Sequence, residues 1–218
     1  MAFQVTGYDA QVRQVIPLYD EIHAQILDLI ETWRAGRPIA WLDTGCGSGT
    51  LALRGAQTLD LTRLVLCDPS EQMLADARQK LAGTPAELRC IGSEAIGYEG
   101  QFDVVTAVQS HHYFDPATRA RAVANCYRAL KPGGLFITFE NTAPDTDVGK
   151  QLVLRRIERY GLAAGRSEEA VAAHTSRYGT EYYPLTAGDH LDLLRQTGFS
   201  AAELFWRSYL QCGFYAIR

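Results

Sequence analysis

Residues 39–53 read IAWLDTGCGSGTLAL. An apolar run ends in an acid, Asp43, and three glycines follow on alternate positions, Gly45, Gly47 and Gly49, before a helix-compatible segment. This order predicts a strand, a tight glycine turn and a helix. Glycine suits such a turn because it adopts backbone angles closed to residues with a Cβ, and because it lets a ligand approach the main chain. The stretch therefore predicts a ligand-binding loop.

The glycine spacing favours one ligand class over another. A dinucleotide loop has glycines at its first, third and sixth positions, whereas the sixth position counted from Gly45 is Thr50 and the fifth is Gly49. An acid two residues upstream, Asp43, suits a ligand with a cationic amino group better than a phosphate. An NAD-dependent oxidoreductase is disfavoured by this spacing but stays an alternative.

Length and composition are those of an ordinary globular chain. The 218 residues, 47% of them hydrophobic and 21% charged, predict a single α/β domain over residues 1–218. The formal net charge of −4 argues against direct nucleic acid binding, which takes its affinity mainly from lysine and arginine. Five scattered cysteines without a Cys-x-x-Cys pair predict free thiols in a reducing compartment. No apolar run suits a signal sequence or a membrane span, so we expect a cytoplasmic protein without membrane contact.

The N-terminal residues 1–37 are predicted to be helical, with a break near Pro17. Apolar residues recur at helical spacing in the second half of this segment, as in a helix packed on a core. Polar and aromatic residues stand before these apolar residues or among them, and they include Tyr8, Arg13 and Tyr19. Helices at this place can fold over a cleft, so we expect these three residues to contact a substrate. Exposure to solvent is the ordinary alternative for the arginine.

A second strand, predicted at 63–67, ends at Asp68 and Pro69. Asp68 lies about 20 residues past the glycines, where an acid at a strand end can accept both hydroxyls of a ribose. The alternative is that Asp68 only caps the next helix. Met73 on that helix belongs either to the core or to the edge of a bound adenine.

The fourth strand, predicted at 102–108, leads into a polar and aromatic tip that contains Gln109, His111 and His112. Ligands of open α/β sheets bind outside the carboxyl ends of the strands, so we expect this tip to be the chemical centre. Either histidine could act as a base, since imidazole titrates near neutral pH. Alternatively, one histidine packs and the other starts a helix. No further His or Cys falls at ligand spacing, so no metal site is expected.

The C-terminal half completes the sheet and carries an insertion. A fifth strand is predicted at 135–140, and two final strands joined by Arg207-Ser208 can only form an antiparallel hairpin because the connection is so short. Between them, residues 141–184 read as two helices and a tyrosine-rich segment with Arg177 and Tyr178. We interpret this insertion as a helical cap that contributes to substrate recognition, with surface decoration as the alternative.

Taken in order, these motifs resemble the class I S-adenosyl-L-methionine (SAM) methyltransferases of the type 11/12 kind, over nearly the whole chain. The motifs are DTGCGSG at 43–49, LCDPS at 66–70, VVTAVQSHHYF at 104–114 and LKPGGLFITFEN at 130–141, followed by the C-terminal strand pair. The resemblance implies a Rossmann-like α/β fold with a seven-stranded class I methyltransferase sheet, a C-terminal antiparallel hairpin and a helical cap. The chain is also similar to the subgroup that holds carboxy-SAM synthase and small bacterial methyltransferases of unknown substrate.

The resemblance further implies SAM as the cofactor and S-adenosyl-L-homocysteine (SAH) as the product. Ser93 stands where many members have an aspartate, so its hydroxyl or the neighbouring Glu94 would have to bind the adenine. The residues implied in cofactor binding are Asp43, Gly45, Cys46, Gly47, Asp68, Pro69, Met73, Ser93, Glu94 and Gln109. Those expected at the acceptor are Tyr8, Arg13, Tyr19, Arg177 and Tyr178, with His112 and His111 as catalytic candidates.

Three functions stay open at the level of sequence. The first is methyl transfer from SAM to a small-molecule acceptor, by a monomer or a homodimer. The second is the formation of carboxy-SAM, which an arginine that binds a carboxylate near the sulfonium would favour. The third is a SAM-binding module without catalysis. Sequence reasoning cannot choose among them because proteins of this kind keep the cofactor half and vary the cap.

Overall fold

The structure, a computed structural model, describes residues 8–218, and of Tyr8 and Ala10 only the backbone. Within that range the chain forms eight α-helices and seven strands. The helices are α1 (Tyr8–Val15), α2 (Tyr19–Arg34), α3 (Thr50–Thr58), α4 (Glu71–Lys80), α5 (Pro116–Ala129), α6 (Asp147–Ala163), α7 (Glu168–Thr175) and α8 (Ala187–Thr197). The strands are β1 (Ile39–Thr44), β2 (Leu61–Asp68), β3 (Glu87–Cys90), β4 (Phe102–Val108), β5 (Leu130–Asn141), β6 (Ala201–Ser208) and β7 (Gln211–Ile217).

The seven strands form one sheet in the order β3-β2-β1-β4-β5-β7-β6. The first five run parallel, whereas β7 is antiparallel to both β5 and β6. Apolar side chains of α2, α3 and α4 cover one face, and those of α5 and α8 cover the other. Burial on both faces explains the nearly unbroken apolar runs of the central strands. The predicted fold class is confirmed, including the terminal hairpin.

Strand β5 begins five residues earlier than predicted. Leu130 already pairs with Phe102, and the chain then bulges before Leu135 resumes pairing with Val104. The Lys-Pro-Gly-Gly segment is therefore a bulge inside the strand, and the prediction of a turn before the strand was wrong. Local turn chemistry cannot distinguish the two, because only the partner strand decides which residues pair.

The turn of the C-terminal hairpin lies two residues later than predicted. Arg207 and Ser208 pair with Cys212 and Gln211, so the turn falls at Tyr209 and Leu210. Tyr209 has a left-handed backbone, φ 53°, which is uncommon for an aromatic residue. Its ring packs against α6, with the Arg156 guanidinium 4.3 Å from the ring centroid, and these tertiary contacts hold the turn.

The predicted cap is present as α6, α7 and the segment up to Tyr182. A small apolar cluster attaches it to the sheet, formed by Val153 and Ile157 of α6 with Leu210 of the hairpin turn. From α6, the Tyr160 hydroxyl also donates to the Arg13 carbonyl of α1 at 2.7 Å. The cap and the N-terminal helix therefore meet above the same edge of the sheet. None of the helices in residues 8–218 is both long and apolar enough to span a bilayer.

Close packing under the glycine loop gives a test of the fold. A Cβ added at Gly55 of α3 would lie 2.3 Å from the Trp41 ring. Gly55→Ala should therefore lower the free energy of unfolding by about 1–3 kcal/mol through overpacking. Gly188→Ala in α8 is the matched control, since its Cβ meets nothing nearer than 3.8 Å, and it should cause no loss. Urea denaturation measures both, and equal stability of the two variants would contradict the packing described.

Candidate active site

A cleft of about 440 Å³ opens at the carboxyl ends of the parallel strands, under α1 and the cap. A smaller pocket of about 50 Å³ adjoins it behind the glycine loop. Of the residues predicted from sequence, the cleft brings together Gly45, Gly47, Asp68, Pro69, Met73, Ser93, Gln109 and Arg177. The smaller pocket adds Asp43, Cys46 and Tyr19. The volume of the larger cleft is within the range of ordinary ligand pockets.

The glycine loop lies against the end of β4. Gly45 has φ 64°, and a Cβ there would lie 2.6 Å from the Ser110 side chain, so only glycine fits this approach. Cys46 donates its backbone N–H to the Cys67 carbonyl at 3.0 Å, which fixes the loop on β2. Burial raises the pKa of the Cys46 thiol well above its ordinary value, so the thiol stays protonated. The loop presents main chain rather than side chains to the cleft.

Asp68 connects the end of β2 to the glycine loop. One carboxylate oxygen accepts the Gly47 backbone N–H and the other accepts the Ser70 backbone N–H, each at 2.9 Å. Ser70, rather than Asp68, is the N-cap of α4, because its hydroxyl accepts the Met73 backbone N–H. Burial raises the pKa of Asp68, and the two backbone hydrogen bonds oppose that shift. Asp68 is thus held in a fixed orientation at the cleft, and the helix-cap alternative is wrong.

Asp43 is a buried carboxyl group at the end of β1. Its Oδ1 accepts a hydrogen bond from the Thr106 hydroxyl at 2.6 Å, and that hydroxyl in turn accepts the Trp41 indole N–H. Burial raises the pKa of Asp43 to about 7, with a further contribution from the charge of Asp68. A cation placed beside Asp43 would reverse this shift by favouring the ionised form.

Ser93 and Glu94 differ in their placement. Ser93 lines the cleft, but its hydroxyl lies 3.0 Å from His111 Nε2, so it is already engaged. Glu94 is half-buried and turns back toward Gly92, where its carboxylate would collide with any Cβ. Glu94 is not among the residues that line the cleft. Of these two, only Ser93 stays within reach of a ligand.

His111 and His112 lie behind the cleft rather than in it. Both are buried, at 0% and 2% exposure, and neither lines the cleft or the smaller pocket. Glu140 holds them: its carboxylate accepts both backbone N–H groups and lies 2.6 Å from His112 Nδ1. Burial acts to raise the pKa of Glu140, but the hydrogen bond with His112 leads the effects that outweigh it and lower the pKa to about 2. Both histidines therefore belong to a wall that supports the cleft from behind. This is the packing role that the sequence left open as the alternative for one of them.

The residues predicted at the acceptor are only partly brought to the cleft. Arg177 lines it, with its Nε 2.7 Å from the carboxylate of Glu181. Arg13 instead pairs with Asp20 on the surface. Tyr178 packs against the apolar cluster of α6, away from the cleft lining. Tyr19 lines the smaller pocket. The side chain of Tyr8 lies outside the described residues.

Helix α1 is fastened to the glycine loop by a contact that the sequence did not indicate. Asp9 accepts hydrogen bonds from the hydroxyls of Ser48 and Thr50, at 2.9 and 3.0 Å, and forms an ion pair with Lys80. This cluster places the last residues of α1 over the cleft, where Ile16 follows the helix and lines the cavity. No local pattern indicates such a contact, since its members lie on three separate helices and in the glycine loop.

Several cleft residues were missed by sequence reasoning, and they come from the cap, the hairpin and the end of β5. His174 of α7 is the histidine that does line the cleft among the described residues. Burial, with the charges of Arg166 and Arg177, lowers its pKa to about 4, so its ring is neutral near pH 7 and can accept a hydrogen bond. The other missed residues include Asn141, Glu181, Tyr182 and Gln211. Only the position of Asn141 at a strand end gave a signal that could have been used.

Comparisons with known proteins agree with this geometry. Residues 42–134 match the family model of the methyltransferase domain. A carboxy-S-adenosyl-L-methionine synthase from Helicobacter hepaticus is 24% identical, over 92% of this chain and 86% of that protein. The corresponding synthase from Wolinella succinogenes is 28% identical, over 76% and 70%. Among solved structures, the N-methyltransferase NodS from Bradyrhizobium japonicum, in complex with SAH, superposes with a TM-score of 0.62 at 15% identity, over 92% of this chain and 87% of that one.

The chain has the fold of the class I methyltransferases. Within it, the matched segment runs from β1 into the start of β5 and so contains the glycine loop, Asp68 and Gln109. The cap and β7, which supply Arg177 and Gln211, lie beyond the match. The family match therefore covers the half of the cleft built on β1, β2 and β4, and it does not reach the half where an acceptor would lie.

The raised pKa of Asp43 predicts a pH-dependent stability. The folded chain keeps a proton on Asp43 up to about pH 7, whereas the unfolded chain loses it near 3.8. This contribution to stability is present at low pH and is lost as the pH rises through about 7. Asp43→Asn cannot ionise and keeps an oxygen for Thr106, so it should gain stability relative to the parent protein as the pH rises.

Thermal unfolding of ligand-free protein between about pH 5 and about pH 8 measures this difference. Asp145→Asn is the matched control, because Asp145 is exposed and should show a constant difference across the range. A constant difference for Asp43→Asn as well would show that its carboxyl group titrates normally.

Proposed function

We propose that the cleft binds SAM and that the protein transfers its methyl group to a small-molecule acceptor. The observation that carries this proposal is Asp68, a buried acid at the end of β2 whose orientation is fixed by the Gly47 and Ser70 backbone N–H groups. Each carboxylate oxygen keeps a free lone pair, so the group can still accept the two hydroxyls of a ribose. Gly45 and Gly47 leave the neighbouring main chain open to the rest of the ligand.

The charges of the cleft suit a cationic cofactor. Asp43 has no cationic partner among residues 8–218, and its raised pKa reports a carboxyl group that lacks one. The amino group and the sulfonium of SAM would supply positive charge on this side. When bound, SAM supplies an electrophilic methyl group, and the protein has to align the acceptor with it. Charge leaves sulfur during transfer, so the apolar walls formed by Val15, Ile16 and Phe114 favour the reaction by excluding water.

The acceptor side of the cleft combines rings with one strong cation. Tyr113, Phe114 and Tyr182 line it together with Arg177. A guanidinium binds a planar carboxylate with two hydrogen bonds, so an acceptor with a carboxylate and a flat apolar body would fit. The Arg177 Nε is paired with Glu181 and the guanidinium also has a hydrogen bond to Tyr113, so a ligand would bind its remaining N–H groups. We infer a small anionic acceptor on this basis.

A second candidate is the formation of carboxy-SAM. It is supported by Arg177 in the cleft, which could hold the added carboxylate, and by the names of the relatives from Helicobacter hepaticus and Wolinella succinogenes. Both candidates use the same cofactor half, but they differ in whether the methyl carbon leaves sulfur and in what Arg177 binds. The reaction product distinguishes them.

Asp68→Asn tests the cofactor half. Loss of the carboxylate charge and of one acceptor oxygen should weaken SAH binding by about 1–3 kcal/mol, or roughly 5- to 150-fold, because a ribose hydroxyl is left without its partner. Isothermal titration calorimetry with SAH measures the affinity, and Asp145→Asn on the surface should bind as the parent protein does. Unchanged affinity in Asp68→Asn would exclude the ribose role.

Arg177→Leu separates the two reactions. Mass spectrometry of the ligand that co-purifies should find SAM or SAH, both in the parent protein and in the variant, if methyl transfer is the function. Carboxy-SAM in the parent protein and its absence from Arg177→Leu would instead establish the second candidate. Arg195→Leu is the control, since Arg195 forms an exposed ion pair with Asp192 far along α8.

A further inference from the structure

A chain of polar side chains runs from a buried carboxylate to the floor of the cleft. Glu140 Oε2 lies 2.6 Å from His112 Nδ1. On the other side of the ring, His112 Nε2 lies 3.5 Å from the side-chain nitrogen of Asn141. The Asn141 oxygen then accepts a hydrogen bond from Gln211 Nε2 at 3.0 Å. Asn141 and Gln211 both line the cleft, whereas Glu140 and His112 do not.

The carboxylate of Glu140 fixes which atom donates and which accepts at each step of this series of polar contacts. The pKa of Glu140 is lowered to about 2, so its carboxylate only accepts hydrogen bonds, and His112 Nδ1 must carry the proton. Nδ1 then has no lone pair left for the Asn141 backbone N–H, which lies 3.4 Å from it. The side-chain nitrogen of Asn141 faces His112 Nε2, so Nε2 is the acceptor of this contact. The Asn141 oxygen is left to accept from Gln211, so Gln211 presents its own oxygen at the end of the chain.

That last oxygen has no partner of its own. Gln211 is 4% exposed, and within residues 8–218 nothing donates a hydrogen bond to its Oε1. A buried acceptor without a hydrogen bond is unfavourable, and a donor group of a ligand in the cleft would satisfy it. Two more polar atoms of the cleft, Gln109 Nε2 and Ser110 Oγ, are also buried without a hydrogen-bond partner among the described residues.

The place of Gln211 in the sheet assigns it to the acceptor. It stands on β7, two strands beyond β4 in the order β4-β5-β7, whereas the glycine loop and Asp68 follow β1 and β2 on the opposite side of β4. The rings of Tyr113 and Tyr182 line the same cleft. A ligand that reaches Gln211 is therefore the acceptor rather than the nucleoside of the cofactor.

We infer that Gln211 is a specificity-determining residue whose Oε1 accepts a hydrogen bond from an O–H or N–H group of the acceptor substrate. This inference rests on the proposed function and narrows its substrate class to small molecules that carry such a donor. Asn141, His112 and Glu140 act as positioning residues, since they fix which end of the Gln211 amide faces the ligand. A site built this way rejects an analogue that lacks the donor, because its oxygen would stay unpaired.

Matched pairs of small aromatic acids test the inference. The probes are 3- and 4-hydroxybenzoate, each compared with the corresponding fluorobenzoate, titrated into SAH-saturated protein and followed by ligand-observed NMR. In the parent protein the hydroxyl member should bind about 10-fold or more tightly than the fluoro member. Gln211→Met has a similar length but no amide oxygen, and it should bring the ratio close to one.

Gln151→Met is the matched control, because Gln151 lies exposed on α6 and the chemical change is the same. It should keep the ratio of the parent protein. In case Gln211→Met does not fold, the side-chain amide resonances of Gln211 in the parent protein provide a second measurement. They should shift with a hydroxybenzoate and not with the fluorobenzoate.

The inference is overturned if the parent protein shows no preference for the hydroxyl member, including no binding of either, or if Gln211→Met keeps the preference. The proposed function fails separately, by the absence of heat with SAH in calorimetry. In that event the affinities of the hydroxybenzoate and the fluorobenzoate are compared on the protein without SAH. Their ratio still decides the role of Gln211.

Discussion

The carboxylate of Asp68 is the contact on which the candidate site depends. A glycine turn between a strand and a helix leaves backbone N–H groups that must find acceptors. Asp68 satisfies that of Gly47 from the neighbouring strand, and the Cys67 carbonyl satisfies that of Cys46. The ends of β1 and β2 are thereby fixed to each other. The same carboxylate lines the cleft, so the group that shapes the loop also faces the ligand.

The cleft has two halves of different construction. The cofactor half consists of main chain and acids at the ends of adjacent parallel strands, which the sheet holds rigidly. The acceptor half consists of side chains from the cap and the antiparallel hairpin, supported from behind by the buried pair of His112 and Glu140. Breaking a buried pair of this kind is costly because it leaves an uncompensated charge. The wall therefore serves the acceptor half by holding Asn141 and, through it, Gln211 in one orientation.

Burial sets the direction of the pKa shift for one titratable group on each side of the cleft. It leaves Asp43 with a pKa of about 7 and His174 with a pKa of about 4. The cofactor side thus offers a carboxyl group that gains from a cation, whereas the acceptor side offers a neutral imidazole beside Arg177. A cationic cofactor and an anionic acceptor would each meet its complement, and their charges would not compete for the same group.

The sequence by itself determined the order of strands and helices, the glycine loop, Asp68 at its strand end and the terminal hairpin. These follow from local periodicity, turn chemistry and the length of connections, all of which act over a few residues. Only the tertiary structure decided that His111 and His112 lie behind the cleft while His174 and Gln211 line it. The reason is physical: the face that a cap helix or a hairpin turns toward a cleft depends on packing between segments distant in the chain, and no local pattern records it.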